Sequence, residues 1–227
     1  NSYIRCYEGI RQASILISNV DINEELTEEE IADYKAQARF LRSYFYWLLL
    51  RKYGPVPLVP EETISIDGDY TSMSYPRNSY DEVVDYISKE MVLAAQALPE
   101  KRDRQNINRA TKGAALAVRA KALLYTASPI NNPRPEDPDK FSDFTDHQGR
   151  ILMAQTYDES KWAKAAAAAK DVIDLATKTG VYKLYTAPYQ AKGDNAYPAT
   201  IKPPHHPIYS TKDFPEGWAD IDPFASY

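Results

Sequence analysis

The run ARFLRSYFYWLLLRKYGPVPLV at residues 38–59 constrains the fold more than any other stretch of the chain. Thr27 and Glu30 upstream have capping-box spacing, and Gly54-Pro55 ends any helix that reaches them. At about 100° per residue, Ile31, Tyr34, Ala38, Leu41, Phe45 and Leu48 form one apolar stripe. Ala36, Phe40, Tyr44 and Trp47 form a second stripe beside it, leaving Lys35, Arg39, Arg42 and Tyr46 as the polar remainder. Together the stripes cover an arc of about 220°, roughly twice what a simple surface helix buries. Such a helix sits between two neighbours. A bilayer span needs about 20 apolar residues, and the uncharged stretch from Ser43 to Leu50 is far shorter. Trp47 and Tyr44 could form a stacking platform, but their spacing from other apolar positions assigns them to a core. PVPLV after the helix is expected to run extended.

Four more helices follow the same logic. Over residues 3–20, Cys6, Ile10, Ala13, Ile17 and Val20 recur at spacings of four and three. Over 80–98 the stripe is Val84, Ile87, Met91, Ala94 and Leu98, with Ser79 and Glu82 as a second capping box. Residues 110–127, ATKGAALAVRAKALLYTA, are alanine-rich and apolar most of the way round. Over 158–178 the stripe is Trp162, Ala166, Ala169, Ile173 and Ala176, with Thr156 and Glu159 as a third box, so Trp162 too is assigned to the core. The order predicts two helix pairs and an unpaired fifth helix. Ala36-x-x-x-Phe40 and the Trp162/Ala166 spacing match fragments of the tetratricopeptide pattern, without its strict 34-residue period. The expected architecture is all-α, built from degenerate tetratricopeptide-like helix pairs separated by long irregular loops.

Composition limits the chemistry. Twenty-seven basic against 32 acidic residues give a charge of −5, with no long-range pull toward nucleic acid or anionic lipid. The single cysteine, Cys6, allows no disulfide and lies on an apolar stripe, as a core thiol would. The chain begins at Asn1 without a charged or apolar leader, so either a signal has been removed or the piece starts inside a longer protein. GxSxG, HExxH, P-loop and GxGxxG motifs are all missing, and the acids concentrate at helix starts and in loops. No catalytic role and no cofactor are expected.

From residue 184 onward periodicity stops, yet eight aromatic residues stand between Tyr185 and Tyr227, which argues against simple disorder. Two organisational parts are therefore expected, 1–183 helical and 184–227 a Tyr- and Pro-rich loop segment. Trp218, in FPEGWADID, has no periodic partner and is flanked by acids. A flat π-face beside fixed hydrogen-bonding groups suits a sugar ring, so Trp218 is the leading ligand-binding candidate, with Tyr209, Tyr197, Asn195 and Asp194 in the same loop system. The competing role for Trp218 is to pin this segment onto the helices. His205-His206 sit in an extended stretch without a third ligand at usable spacing, and His147 is distant. The acidic stretches at 65–72 and 134–140 lack the spacing of a calcium loop. No metal site is expected.

YEGIRQASILISNV, AQARFLRSYFYWLLLRKYGPVPLV, NRATKGAALAVRAKALLYTASPINN and WAKAAAAAKDVIDLA, in that order, resemble the SusD/RagB family, over residues 3–184. The closing IDPFASY looks like the start of the family's next segment, so a C-terminal half is expected beyond it. The resemblance implies a lipid-anchored protein on the outer face of a Gram-negative outer membrane. It implies capture of glycans, or of peptides in the RagB-like branch, and delivery to a SusC-like TonB-dependent transporter, without covalent chemistry. The lipid-bearing cysteine is expected upstream and is not Cys6. The tetratricopeptide half of the family packs on the transporter. The basic stripe Lys35, Arg39 and Arg42 is accordingly a candidate transporter contact, although a solvated helix face explains it as well. Two other readings stay open: a tetratricopeptide scaffold binding only protein partners, and an all-helical glycoside hydrolase.

Overall fold

A computed structural model of the chain describes residues 1–61, 74–134, 136–137 and 140–183. Five α-helices carry the described residues: α1 (Ser2–Asn19), α2 (Glu28–Tyr53), α3 (Tyr80–Ala97), α4 (Lys112–Ala127) and α5 (Ser160–Thr179). One 3-10 turn, Val20–Ile22, follows α1. There is no strand among the described residues, only an isolated antiparallel bridge between Thr145 and Ile151. The expected all-α, tetratricopeptide-like architecture is what the structure shows.

Each helix packs on the next in sequence: α1 on α2, α2 on α3, α3 on α4, α4 on α5. The expectation of an unpaired fifth helix is therefore corrected, because α5 lies against α4 as closely as any other neighbouring pair. Two of the three expected capping boxes form. The Thr27 hydroxyl accepts from the Glu30 amide at 3.2 Å while the Glu30 carboxylate accepts from the Thr27 amide at 2.9 Å. Ser79 and Glu82 repeat this at the start of α3. The third does not form: α5 starts at Ser160, and the Asp158 carboxylate accepts from the Ser160 amide at 2.9 Å. Gly54 ends α2 at φ +72°, where a side chain would be strained.

α2 is the central helix of the first half, as its two stripes require. Tyr46, Trp47, Leu49 and Leu50 are all buried, and Trp47 meets the Tyr125 ring edge-on at 4.9 Å. YFYWLLL is thus the interior of a helical array and not a ligand platform. The outer turn is less covered than expected, with Leu41 exposed. Cys6 is buried on the inner face of α1, and burial pushes its thiol pKa up. Where α1 approaches α2, Gly9 lies under the Phe45 ring, and an added Cβ would overlap it.

The polar remainder of α2 is corrected outright. Arg42 is only 2 % exposed and Tyr46 is fully buried. The Arg42 guanidinium donates to Ser14 Oγ on α1 at 2.9 Å, to the Tyr86 hydroxyl on α3, and to the Val59 carbonyl at 2.7 Å. It lies 5.6 Å and 5.5 Å from the centroids of the Tyr46 and Tyr86 rings. The Tyr46 hydroxyl accepts from the Val59 amide, and the Tyr7 hydroxyl donates to the Pro57 carbonyl. These bonds tie residues 57–59 to the helices.

The face of α5 is also corrected, by one residue. Lys161, Ala165 and Ala168 are buried, whereas Trp162 is 40 % and Ile173 59 % exposed. In KAAAAAK every face offers alanine, so apolar periodicity alone hardly distinguishes one register from its neighbour. The choice is made by Lys161, which reaches an acid on α3.

Trp47→Ala is expected to cost about 3–5 kcal/mol in urea unfolding, the range for deleting a large buried aromatic. Loss of less than about 0.5 kcal/mol would mean a surface residue. Gly9→Ala should also destabilise, by about 1–3 kcal/mol through overpacking against Phe45. At an open helix position the same change would stabilise by roughly 0.5–1 kcal/mol, so the sign of the shift in melting midpoint tests the close approach.

Candidate functional site

The loop between α4 and α5 is anchored by groups far apart in sequence. Asp81, in the first turn of α3, accepts from Lys161 Nζ at 2.7 and 2.8 Å and from Thr126 Oγ1 at 2.5 Å. One carboxylate thereby joins the start of α3, the end of α4 and the start of α5. Asn132 pairs with the backbone of Asp158 in both directions, accepting its amide at 2.8 Å and donating to its carbonyl at 2.9 Å. Asp146 accepts from the amides of Gln148 and Arg150, each at 2.9 Å, and from Arg150 Nε at 3.3 Å. Arg150 also contacts Glu82 and the Arg77 carbonyl. The Arg150 amide above all, helped by the Gln148 amide and the Arg150 guanidinium, holds the Asp146 carboxyl below its usual range. These groups bond one another and build a loop scaffold.

Two concave surfaces stand out among the described residues. The first, of about 350 Å³, is a polar cleft between the start of α2 and residues 99–109. Asp33 there accepts two bonds from Arg102, at 2.7 and 2.8 Å, and a third from Gln37. Arg102 Nε donates to the Ala110 carbonyl, and the Arg109 guanidinium lies 5.6 Å from the Tyr34 ring centroid. Asp103 accepts from Asn106 and Gln105, and the Asn106 side-chain and backbone bonds lower its pKa. Most of this polarity is spent internally, clasping the α3–α4 loop to α2. The second surface, of about 480 Å³, is a groove between α3 and α5 floored by α4. Aliphatic side chains from all three helices share its lining with charged residues and Ser88.

The residues expected from sequence are not gathered into one site. Trp218, Tyr209, Tyr197, Asn195, Asp194, His205, His206 and the stretch 65–72 lie outside the described residues. Of the basic stripe, Lys35 pairs with Asp21 at 2.5 Å, and Arg39 pairs with Glu90 and, at 3.6 Å, with Glu61. Arg42 is buried and bonded on every side, so it belongs to no solvated face and can present nothing to a partner. His147 is exposed, and no group of three or more His, Cys, Asp or Glu side chains among the described residues could hold a metal ion. No described helix is long and apolar enough to cross a membrane.

A family model described as "Starch-binding associating with outer membrane" matches residues 1–124, more than half of the 227. The chain belongs to the SusD-like family. A SusD-like protein, P25, of Formosa agariphila is 29 % identical over 115 residues, covering 51 % of this chain and 21 % of that protein. The solved structure of BT4246 superposes with a TM-score of 0.68 at 31 % identity, over 81 % of this chain and 31 % of its own. A second solved structure, determined with a xylogluco-oligosaccharide, superposes with a TM-score of 0.54 at 25 % identity, over 76 % and 29 %. This chain thus spans less than a third of the length of each of these proteins.

Within this SusD-like chain, sequence reasoning missed the Asp81–Lys161 ion pair and the Asp33–Arg102 clasp. Asp81 reads as an ordinary acid in a helix first turn, and its partner lies 80 residues away. The only local hint is Lys161 itself, a charge standing one position from the expected apolar stripe.

Because the folded pKa of Asp146 is depressed, its contribution to stability is present above the usual Asp pKa of about 3.9 and is lost as pH falls through the folded value. Asp146→Asn should therefore be less stable than the parent at neutral pH, with the difference closing as pH falls through the depressed folded pKa. Urea unfolding midpoints across that pH range are the measurement. A gap independent of pH would mean the carboxylate charge contributes nothing.

Proposed function

We propose that the protein to which this chain belongs captures glycans without cleaving them, at the outer surface of the outer membrane, and delivers them to a SusC-like TonB-dependent transporter. The family match over residues 1–124 carries this reading. A structural relative determined with a xylogluco-oligosaccharide supports a glycan as the ligand class. Among the described residues the buried polar groups are tied into scaffolding and none forms an acid–base pair across a cleft, which is consistent with it. Trp218, Tyr209, Tyr197, Asn195 and Asp194 supply the ligand-facing groups in this proposal: a flat ring for the C–H side of a sugar and polar partners for its hydroxyls. Lys35 and Arg39, both partly exposed and part of a charged ladder with Asp21 and Glu61, are the candidates for transporter contact.

The test is binding of the complete, delipidated protein to a panel of polysaccharides and oligopeptides, by native affinity gel and calorimetry. Saturable binding to one glycan class, with no product formed, is the expected result. Binding of peptides alone would replace the glycan by a peptide ligand. Cleavage of a polysaccharide, abolished by one Asp or Glu substitution, would make the protein a hydrolase. Trp218→Ala should leave the melting temperature nearly unchanged and weaken glycan binding about tenfold, or roughly 1.4 kcal/mol. Unchanged affinity would remove Trp218 from the site.

A further inference from the structure

Apart from the Lys161–Asp81 ion pair, α3 and α5 pack on α4 rather than on each other, and this leaves the groove of about 480 Å³ between them. That volume lies within the range of about 300–1,000 Å³ typical of ligand sites. Leu123 of α4 forms the floor, Val92 and Leu93 of α3 one wall, and Ala167 of α5 the other. Leu93 remains 38 % exposed. Lys89 stands on the α3 rim and Lys164 on the α5 rim, and neither has a salt-bridge partner among the described residues. The third cation, Arg119, is already held by Asp171 at 2.6 Å and Ser88 at 3.3 Å. Asp85 is the one acid in the lining, a turn before Lys89 on the same wall.

We propose that this groove docks a polypeptide segment carrying aliphatic side chains flanked by carboxylates. The aliphatic floor takes leucine- or valine-like side chains, and the facing lysines bind acids on either side of them. Asp85 sets a polarity along the groove by disfavouring an acid at its own end. A sugar fits this lining poorly, because no aromatic residue lines the groove to stack on a pyranose face. The polar cleft near Arg102 is a poorer dock for the same ligand, since its guanidinium is already committed to Asp33 and Ala110. The inference is independent of the glycan-capture reading: it concerns a different surface and a different ligand class.

The experiment uses the full chain and a short fluorescein-labelled peptide of alternating leucine and glutamate, followed by fluorescence anisotropy. A leucine–lysine peptide of equal length and polygalacturonate are the comparison ligands. Saturable binding of the leucine–glutamate peptide, in preference to both, is expected. Lys89→Glu combined with Lys164→Glu should weaken that binding about tenfold or more and improve binding of the leucine–lysine peptide. Both side chains are exposed, so the variant's circular dichroism and melting curve should match the parent. Leu93→Asp should weaken the acidic peptide independently. Absence of saturable binding, equal binding of the two peptides, or a double variant that binds the acidic peptide as well as the parent would overturn the proposal. So would preference for polygalacturonate, which would make the lysines a site for anionic glycans.

Discussion

A guanidinium buried between helices needs acceptors in place of its lost hydration, and the first half of this structure is arranged around that requirement at Arg42, where each nitrogen has one. Removing such a cation from water is affordable only where acceptors and polarisable faces replace the lost hydration. Ser14 on α1, Tyr86 on α3 and the Val59 carbonyl supply the acceptors, while the Tyr46 and Tyr86 rings flank the charge. One side chain of α2 therefore ties both neighbouring helices and the segment behind them into a single geometry. The aromatic richness of this region is explained in part by that role, since Tyr7 and Tyr46 also bond the backbone of residues 57–59.

The second half relies on a different device. α4 and α5 are small-residue helices, with Ala115, Ala122, Ala165 and Ala168 all buried, so their axes approach closely but little large side-chain volume interlocks them. Register and angle fall to polar pairs at the helix ends, above all Lys161 on Asp81. The same clasp positions the long loop after α4, whose Asn132 and Asp146 mimic backbone partners. Loops of this length are tolerated in a compact unit when side chains complete their hydrogen bonding in this way.

In the SusD-like family this division has a functional sense. A helical array whose interior polar groups are already paired leaves ligand contacts to segments outside its core. The surfaces proposed to meet partners are the charged ladder around Lys35 and Arg39 and the groove between α3 and α5. The residues proposed to face a glycan belong to 184–227.

Helix existence, most helix limits and two capping boxes were legible from sequence, because each depends on residues within one or two turns: Thr27 with Glu30, Ser79 with Glu82, Gly54 with Pro55. The burial of Trp47 was legible for the same reason, as apolar spacing of three and four is a local property of a helix. The buried state of Arg42 was not, since a cation on a helix wheel carries no mark of distant acceptors such as Ser14 and Tyr86. Nor was the face of α5, where alanine on all sides makes neighbouring registers nearly equal and an acid 80 residues away decides between them. The sequence by itself determined the helices, their order and the family. Only tertiary structure decided which polar side chains turn inward, because their burial depends on partners that folding brings together from remote parts of the chain.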